Sequence, residues 1–119
     1  MGPHLNIAIE PANSEKNYQI VKFAGEFDKA GHEEIRQKLE DCVQSATLKS
    51  LIFDVVELKF INSEGIGYLM ELHAHLVKRG RELVLIGPNN HVADVFKTIG
   101  LTEVIKIFPN LDNFLKTER

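Results

Sequence analysis

Leu51-Ile52-Phe53-Asp54-Val55-Val56 is a nearly continuous apolar run bounded by polar residues. Such a run fits a central strand covered on both faces, and a strand of that kind belongs to a mostly parallel sheet. After a short connection that ends in Asn62-Ser63-Glu64-Gly65-Ile66-Gly67, a helical pattern continues to Arg79. That helix carries Ile66, Leu69, Met70, His73, Leu76 and Val77 on one side, and Gly80 closes it in a left-handed C-terminal cap. A serine therefore stands where a central strand gives way to a helix.

The flanking chain repeats this alternation. Leu5 to Ile9 alternates with period two, Pro11 to Asn17 holds turn residues, and Tyr18 to Phe27 is strand-like again. The connection is too short for a helical crossover, so these two strands form an antiparallel pair. Asp28 is a candidate N-cap for a helix with Ile35, Leu39, Cys42, Val43 and Ala46 as its apolar stripe. Leu83 to Ile86 is a further buried strand. Asn89 or Asn90 caps a short helix with Val92, Val95, Phe96 and Ile99 inward, ended by Gly100. Val104, Ile105 and Ile107 make a last strand before Pro109, and a final helix spans about Leu111 to Thr117. The order β-β-α-β-α-β-α-β-α predicts an α/β fold, a mostly parallel mixed sheet of about five strands with about four helices.

The chain has 119 residues, which suits one domain, assigned to residues 5–117. Residues 1–4 are set apart as a cloning scar or a disordered N-terminus. A formal net charge of -3 gives no basic footprint, so no direct nucleic-acid partner is expected. No stretch approaches the ~18 apolar residues that would span a bilayer. Cys42 is the one cysteine, which rules out an intramolecular disulfide and suits a cytoplasmic protein.

In parallel sheets the working surface lies beyond the carboxyl ends of the strands, where Asp28 and Ser63 both fall. Ser63 is read first as a helix N-cap beside free backbone amides. The same geometry suits a phosphate acceptor, because a helix N-terminus tolerates the added charge. A nucleophile reading is weaker. The elbow motif requires a glycine where Ile61 stands, and a formal order of Ser63, Glu82 and His91 places Glu82 at the start of a strand. Gly65 and Gly67 lack both the third glycine of a dinucleotide loop, where Met70 stands, and a Gly-Lys-Ser/Thr sequence. They suit close packing of the helix start against the sheet or against a partner. The five histidines show no ligand spacing. No catalytic residue, no metal and no cofactor is assigned, and the chain is not read as an enzyme.

Phe60-Ile61-Asn62-Ser63-Glu64-Gly65-Ile66-Gly67 resembles the signature of bacterial anti-sigma factor antagonists of the STAS domain family: an aromatic or apolar pair, then Asp-Ser-x-Gly-x-Gly. Ala24-Gly25-Glu26-Phe27-Asp28 is similar to the family's Gly-Glu-Leu-Asp segment, Leu51 to Val55 to its central strand, and Ile99-Gly100-Leu101 to its Gly-Leu before the last strand. Asn62 departs from the family's aspartate, and Glu64 from the small residue often found there. The resemblance implies a single STAS-like domain that binds an anti-sigma factor serine kinase and so frees a sigma factor. It implies that the kinase phosphorylates Ser63 and breaks the complex, and that a serine phosphatase restores it. The expected partner surface is Asp28, Asn62, Ser63, Glu64, Gly65, Ile66 and Gly67. Two alternatives stand beside it: a STAS scaffold or accessory subunit in another signalling or transporter assembly, and a small nucleotide-binding protein.

Overall fold

Leu5–Ile9 (β1) and Tyr18–Phe27 (β2) form the antiparallel pair expected of them, with Leu5 opposite Gly25 and Ile9 opposite Val21. Ser50–Ile61 (β3), Glu82–Ile86 (β4) and Lys106–Phe108 (β5) add in parallel, so one five-stranded mixed sheet runs β1-β2-β3-β4-β5. Four helices complete the fold: Lys29–Ser45 (α1), Ser63–Val77 (α2), Asn90–Thr98 (α3) and Leu111–Thr117 (α4). The computed structural model describes residues 3–45 and 47–118. Ala46, assigned to the stripe of the first helix, lies outside them.

The sheet has two unequal faces. Helices α1, α2 and α3 cover one, where Ile35, Leu39, Ile66, Leu69, Val92 and Phe96 meet the inward residues of β1 to β4 in one continuous core. On the other, Phe114 of α4 packs with Ile52, Val84 and Ile86. Strands β3 and β4 are thus buried on both sides, which is why their sequences are nearly unbroken in apolar residues.

Strand β3 is longer than its apolar run. The sequence places its end at Val56 and a connection beyond, whereas pairing with β2 continues to Ile61. Two register shifts, between Lys22 and Ala24 and between Gly25 and Glu26, each place one extra residue on β3. These bulges break the period-two pattern and hide the rest of the strand. They also explain Asp54, whose Oδ1 accepts the amide hydrogen of Val56 at 3.1 Å. An acid in an apolar strand here satisfies an amide at the point where the ladder goes out of step.

Helix α2 is rotated from its expected face. Tyr68 and Leu72 are buried with Ile66, Leu69 and Leu76, whereas Met70 and Val77 face outward at 41% and 52% exposure. The helix stops at Val77, two residues before Arg79. Gly80 then takes a φ of 76°, its amide bonds the Val77 carbonyl at 3.0 Å, and the Arg81 amide reaches back to the Leu76 carbonyl at 2.9 Å. Ile99, expected inward, is about half exposed, and so is Val104, which was expected to begin the last strand. Leu101 and Ile105 enter the core and Ile107 packs against it, and a short 3-10 turn at Leu101–Glu103 delays β5 to Lys106.

Candidate functional site

Two strand ends and two helix starts meet at one edge of the sheet. Phe27 pairs with Ile61, and the Phe27 carbonyl accepts the amide hydrogen of Asn62 at 3.1 Å. The corner Phe27-Asp28 thus lies beside the corner Ile61-Asn62-Ser63, and α1 and α2 leave from neighbouring points. Each helix starts on its own cap: Asp28 Oδ1 accepts from the Gly31 amide at 2.9 Å, and Asn62 Oδ1 from the Gly65 amide at 3.0 Å.

The cap of α2 is therefore Asn62, not Ser63. Asn62 is extended, with φ -103° and ψ -179°, and Ser63 is the first helical residue. Residue type could not choose between adjacent Asn and Ser; the backbone angles do. With the cap supplied by its neighbour, the exposed Ser63 hydroxyl makes no hydrogen bond among the described residues. The amides of Ser63 and Glu64 precede the first intrahelical bond, from Ile66 to the Asn62 carbonyl, and they point out of the helix start. Asparagine in place of the family's aspartate keeps the capping oxygen and drops a negative charge beside the serine.

The remaining residues of the motif divide between inside and outside. A Cβ on Gly65 would lie 2.8 Å from both the ring and the carbonyl oxygen of Phe27, so the glycine lets α2 begin hard against β2. Ile66 is 5% exposed and belongs to the core. Glu64 and Gly67 are exposed, and a Cβ on Gly67 would meet nothing within 4 Å. No contact among the described residues calls for a glycine there.

Asp28 is engaged on both oxygens. Besides capping α1 it accepts at Oδ2 from His4 Nε2 at 2.8 Å. The Gly31 amide, then the His4 contact, hold its carboxyl below the usual range. The bond to Asp28 raises His4 in turn. His4, set aside with the first residues in the sequence, is also anchored by its backbone. Its amide donates to Glu34 Oε2 at 3.2 Å and its carbonyl accepts from the Glu26 amide at 3.1 Å.

Beneath the edge, Phe27, His32 and Tyr68 form an aromatic seam joining α1 to α2. The His32 and Tyr68 ring centroids are 4.1 Å apart, and burial pushes the Tyr68 hydroxyl well above its ordinary pKa. Nothing in the spacing of His4, His32 and Tyr68 announces these contacts, which cross between elements. Ser63, Glu82 and His91 are not brought together. Glu82 pairs with Ser50 at the start of β3 and bonds Ser50 Oγ at 2.8 Å, whereas Ser63 follows the far end of that strand.

Comparison with known proteins gives a consistent picture. The STAS domain family matches residues 11–114. An anti-sigma F factor antagonist of Paenibacillus polymyxa is 22% identical over 111 residues, covering 93% of this chain and 94% of that protein. An anti-sigma-B factor antagonist of Listeria monocytogenes is 28% identical over 103 residues, covering 87% and 90% respectively. Among solved structures, the Bacillus cell fate determinant SpoIIAA in its phosphorylated form superposes with a TM-score of 0.69 at 19% identity, over 96% of this chain and all of that one. At that identity the superposition establishes the shared fold.

Proposed function

The chain belongs to the STAS domain family, and we propose that within it this protein is an anti-sigma factor antagonist. It binds a kinase-type anti-sigma factor through the edge formed by Asp28, Asn62 and Ser63 and by the exposed start of α2. Phosphorylation of Ser63 switches it off, and a serine phosphatase resets it. The observation that carries this reading is the Ser63 hydroxyl: exposed, without a hydrogen bond among the described residues, and placed at the first residue of a helix whose cap is a different side chain. A kinase reaches such a hydroxyl without unfolding anything, and its removal from hydrogen-bonding duty leaves the helix capped.

A phosphate on Ser63 would bring about -1.5 to -2 charges to a helix N-terminus, where outward amides and the helix dipole accommodate it. The fold is unharmed, but a partner packed on that surface meets a dianion it must desolvate. Gly67 adds support. A glycine inside a helix costs about 1 kcal/mol relative to alanine, and this one faces outward where no internal contact requires it. A partner backbone passing close to the helix would require it. The test is incubation with the kinase and ATP, followed by mass mapping. Phosphate on Ser63, with weaker kinase binding by Ser63→Asp and retained binding by Ser63→Ala, is the expected result. Modification elsewhere with Ser63 untouched, or equal affinity of the two variants, would end the reading.

A further inference from the structure

The hydrogen bonds that tie the amino-terminal segment to the start of α1 are made to acidic groups. His4 Nε2 donates to Asp28 Oδ2 at 2.8 Å, and its Nδ1 lies 4.0 Å from Glu26 Oε2. The amides of His4 and Leu5 both donate to the carboxylate of Glu34, at 3.2 and 2.9 Å. Among the described residues, charged groups therefore face the imidazole from β2 (Glu26), from the corner before α1 (Asp28) and from α1 itself (Glu34), and all of these are carboxylates. The approach is close. A Cβ on Gly25 would collide with the His4 carbonyl, and a Cβ on Gly31 would come within 2.9 Å of Leu5 Cβ.

We propose that His4 and Asp28 form a proton-operated latch that fastens the amino-terminal segment to the edge carrying Ser63. With the imidazole protonated, one cation sits among three carboxylates and the segment is closed. When the proton leaves, the Nε2–H···Oδ2 bond loses its charge assistance and Glu26, Asp28 and Glu34 repel one another without the imidazolium between them. The segment then loosens, and the Asp28 carboxylate becomes available at the surface. Transmission to the phosphoacceptor is short, because Asp28 follows Phe27, whose carbonyl holds the Asn62 amide. The latch is a property of this chain alone. Its consequence for docking, that a partner contacting Asp28 binds more readily once His4 is neutral, rests on the function proposed above.

An NMR pH titration of the whole chain, without any partner, tests the latch separately from the function. His4 is expected to titrate above its ordinary 6.5, as the bond to Asp28 requires. The amides of Leu5, Gly31, Asn62 and Ser63 should follow the same midpoint, and hydrogen exchange at Leu5 should speed up above it. Asp28→Asn keeps an α1 cap but should lower the His4 midpoint. His4→Gln should abolish the shared transition at the four amides. A His4 midpoint at or below 6.5, a midpoint that Asp28→Asn leaves in place, or Asn62 and Ser63 amides that do not follow His4 would each overturn the proposal.

Discussion

The carbonyl oxygen of Phe27 accepts the amide hydrogen of Asn62 at 3.1 Å. That bond joins the end of β2 to the residue that caps α2, and it sets two similar corners side by side. In each, a strand ends and a short acidic or amide side chain caps the helix through the amide three residues on. The edge that carries Ser63 is therefore backbone-braced, and the Ser63 hydroxyl has no part in the bracing.

The first prediction separates the cap from the hydroxyl. Asn62→Ala removes the acceptor for the Gly65 amide and should cost about 1 kcal/mol of stability, whereas Asn62→Asp should cost little. Ser63→Ala should leave stability nearly unchanged. Urea unfolding of the three variants measures this, and a larger loss for Ser63→Ala than for Asn62→Ala would move the cap to the serine.

Gly65 and Gly67 should respond with opposite signs. A methyl at Gly65 meets the Phe27 carbonyl and ring at 2.8 Å and the Ile61 side chain at 2.9 Å, so Gly65→Ala should destabilise by about 1–3 kcal/mol. Gly67→Ala meets nothing and should stabilise by about 0.4–1 kcal/mol. If Gly67 serves the partner proposed above, the more stable variant should bind that partner more weakly. Denaturation and a binding isotherm on the same two proteins read both effects.

Ser63→Asp should not weaken the fold. A negative charge in the first turn of a helix is favourable by about 0.3–1 kcal/mol, partly offset by the neighbouring Glu64. A thermal melt equal to or slightly above that of the parent chain would establish that any loss of docking comes from the surface. A clear drop would point to damage at α2 instead.

His73 should make stability fall as the solution becomes acidic. Its Nδ1 accepts the Leu83 amide hydrogen at 3.2 Å, which requires a free lone pair there, and burial lowers its pKa, with Glu82 opposing. A group whose folded pKa is depressed contributes stability above its unfolded value, and that stability is lost as pH falls through the folded value. His4, with its raised pKa, has the reverse sign: its contribution is present at low pH and is lost as pH rises through the raised value. Unfolding free energies between about pH 7.5 and 5.5 should decline less in His73→Asn, which keeps an acceptor, than in the parent chain. In His4→Gln they should decline more.

Much of the architecture was legible in residue patterns. The bounds of β1, β2 and α4 fall where alternation, turn residues and the Pro109 punctuation place them, and Asn89 caps α3 by accepting from Val92 at 2.8 Å. The far half of β3 was not legible. Glu57 and Lys59 read as loop because two bulges put charged side chains where simple alternation would demand apolar ones. Met70 and Val77 read as core because an apolar residue on a helix looks alike whether it faces a sheet or open solvent; Tyr68 and Leu72 took the inward positions.

The candidate edge divides the same way. A serine at a strand-to-helix junction, two glycines after it and an acidic residue after the second strand were all visible, and with the central strand and the Gly100-Leu101 pair they carry the resemblance to the family. That Asn62 carries the cap, that Gly65 serves the sheet while Gly67 faces outward, and that Asp28 is already held by His4 were not.

The sequence by itself determined the order and kind of the strands and α-helices, because hydrophobic periodicity, capping residues and glycine stops act over a few residues and need no knowledge of the rest of the chain. Tertiary structure alone decided which side chain does what at the edge. Those roles depend on contacts such as Phe27 with Asn62 and His4 with Asp28, between residues far apart in the chain, and such contacts exist only once β1, β2 and β3 are paired in register.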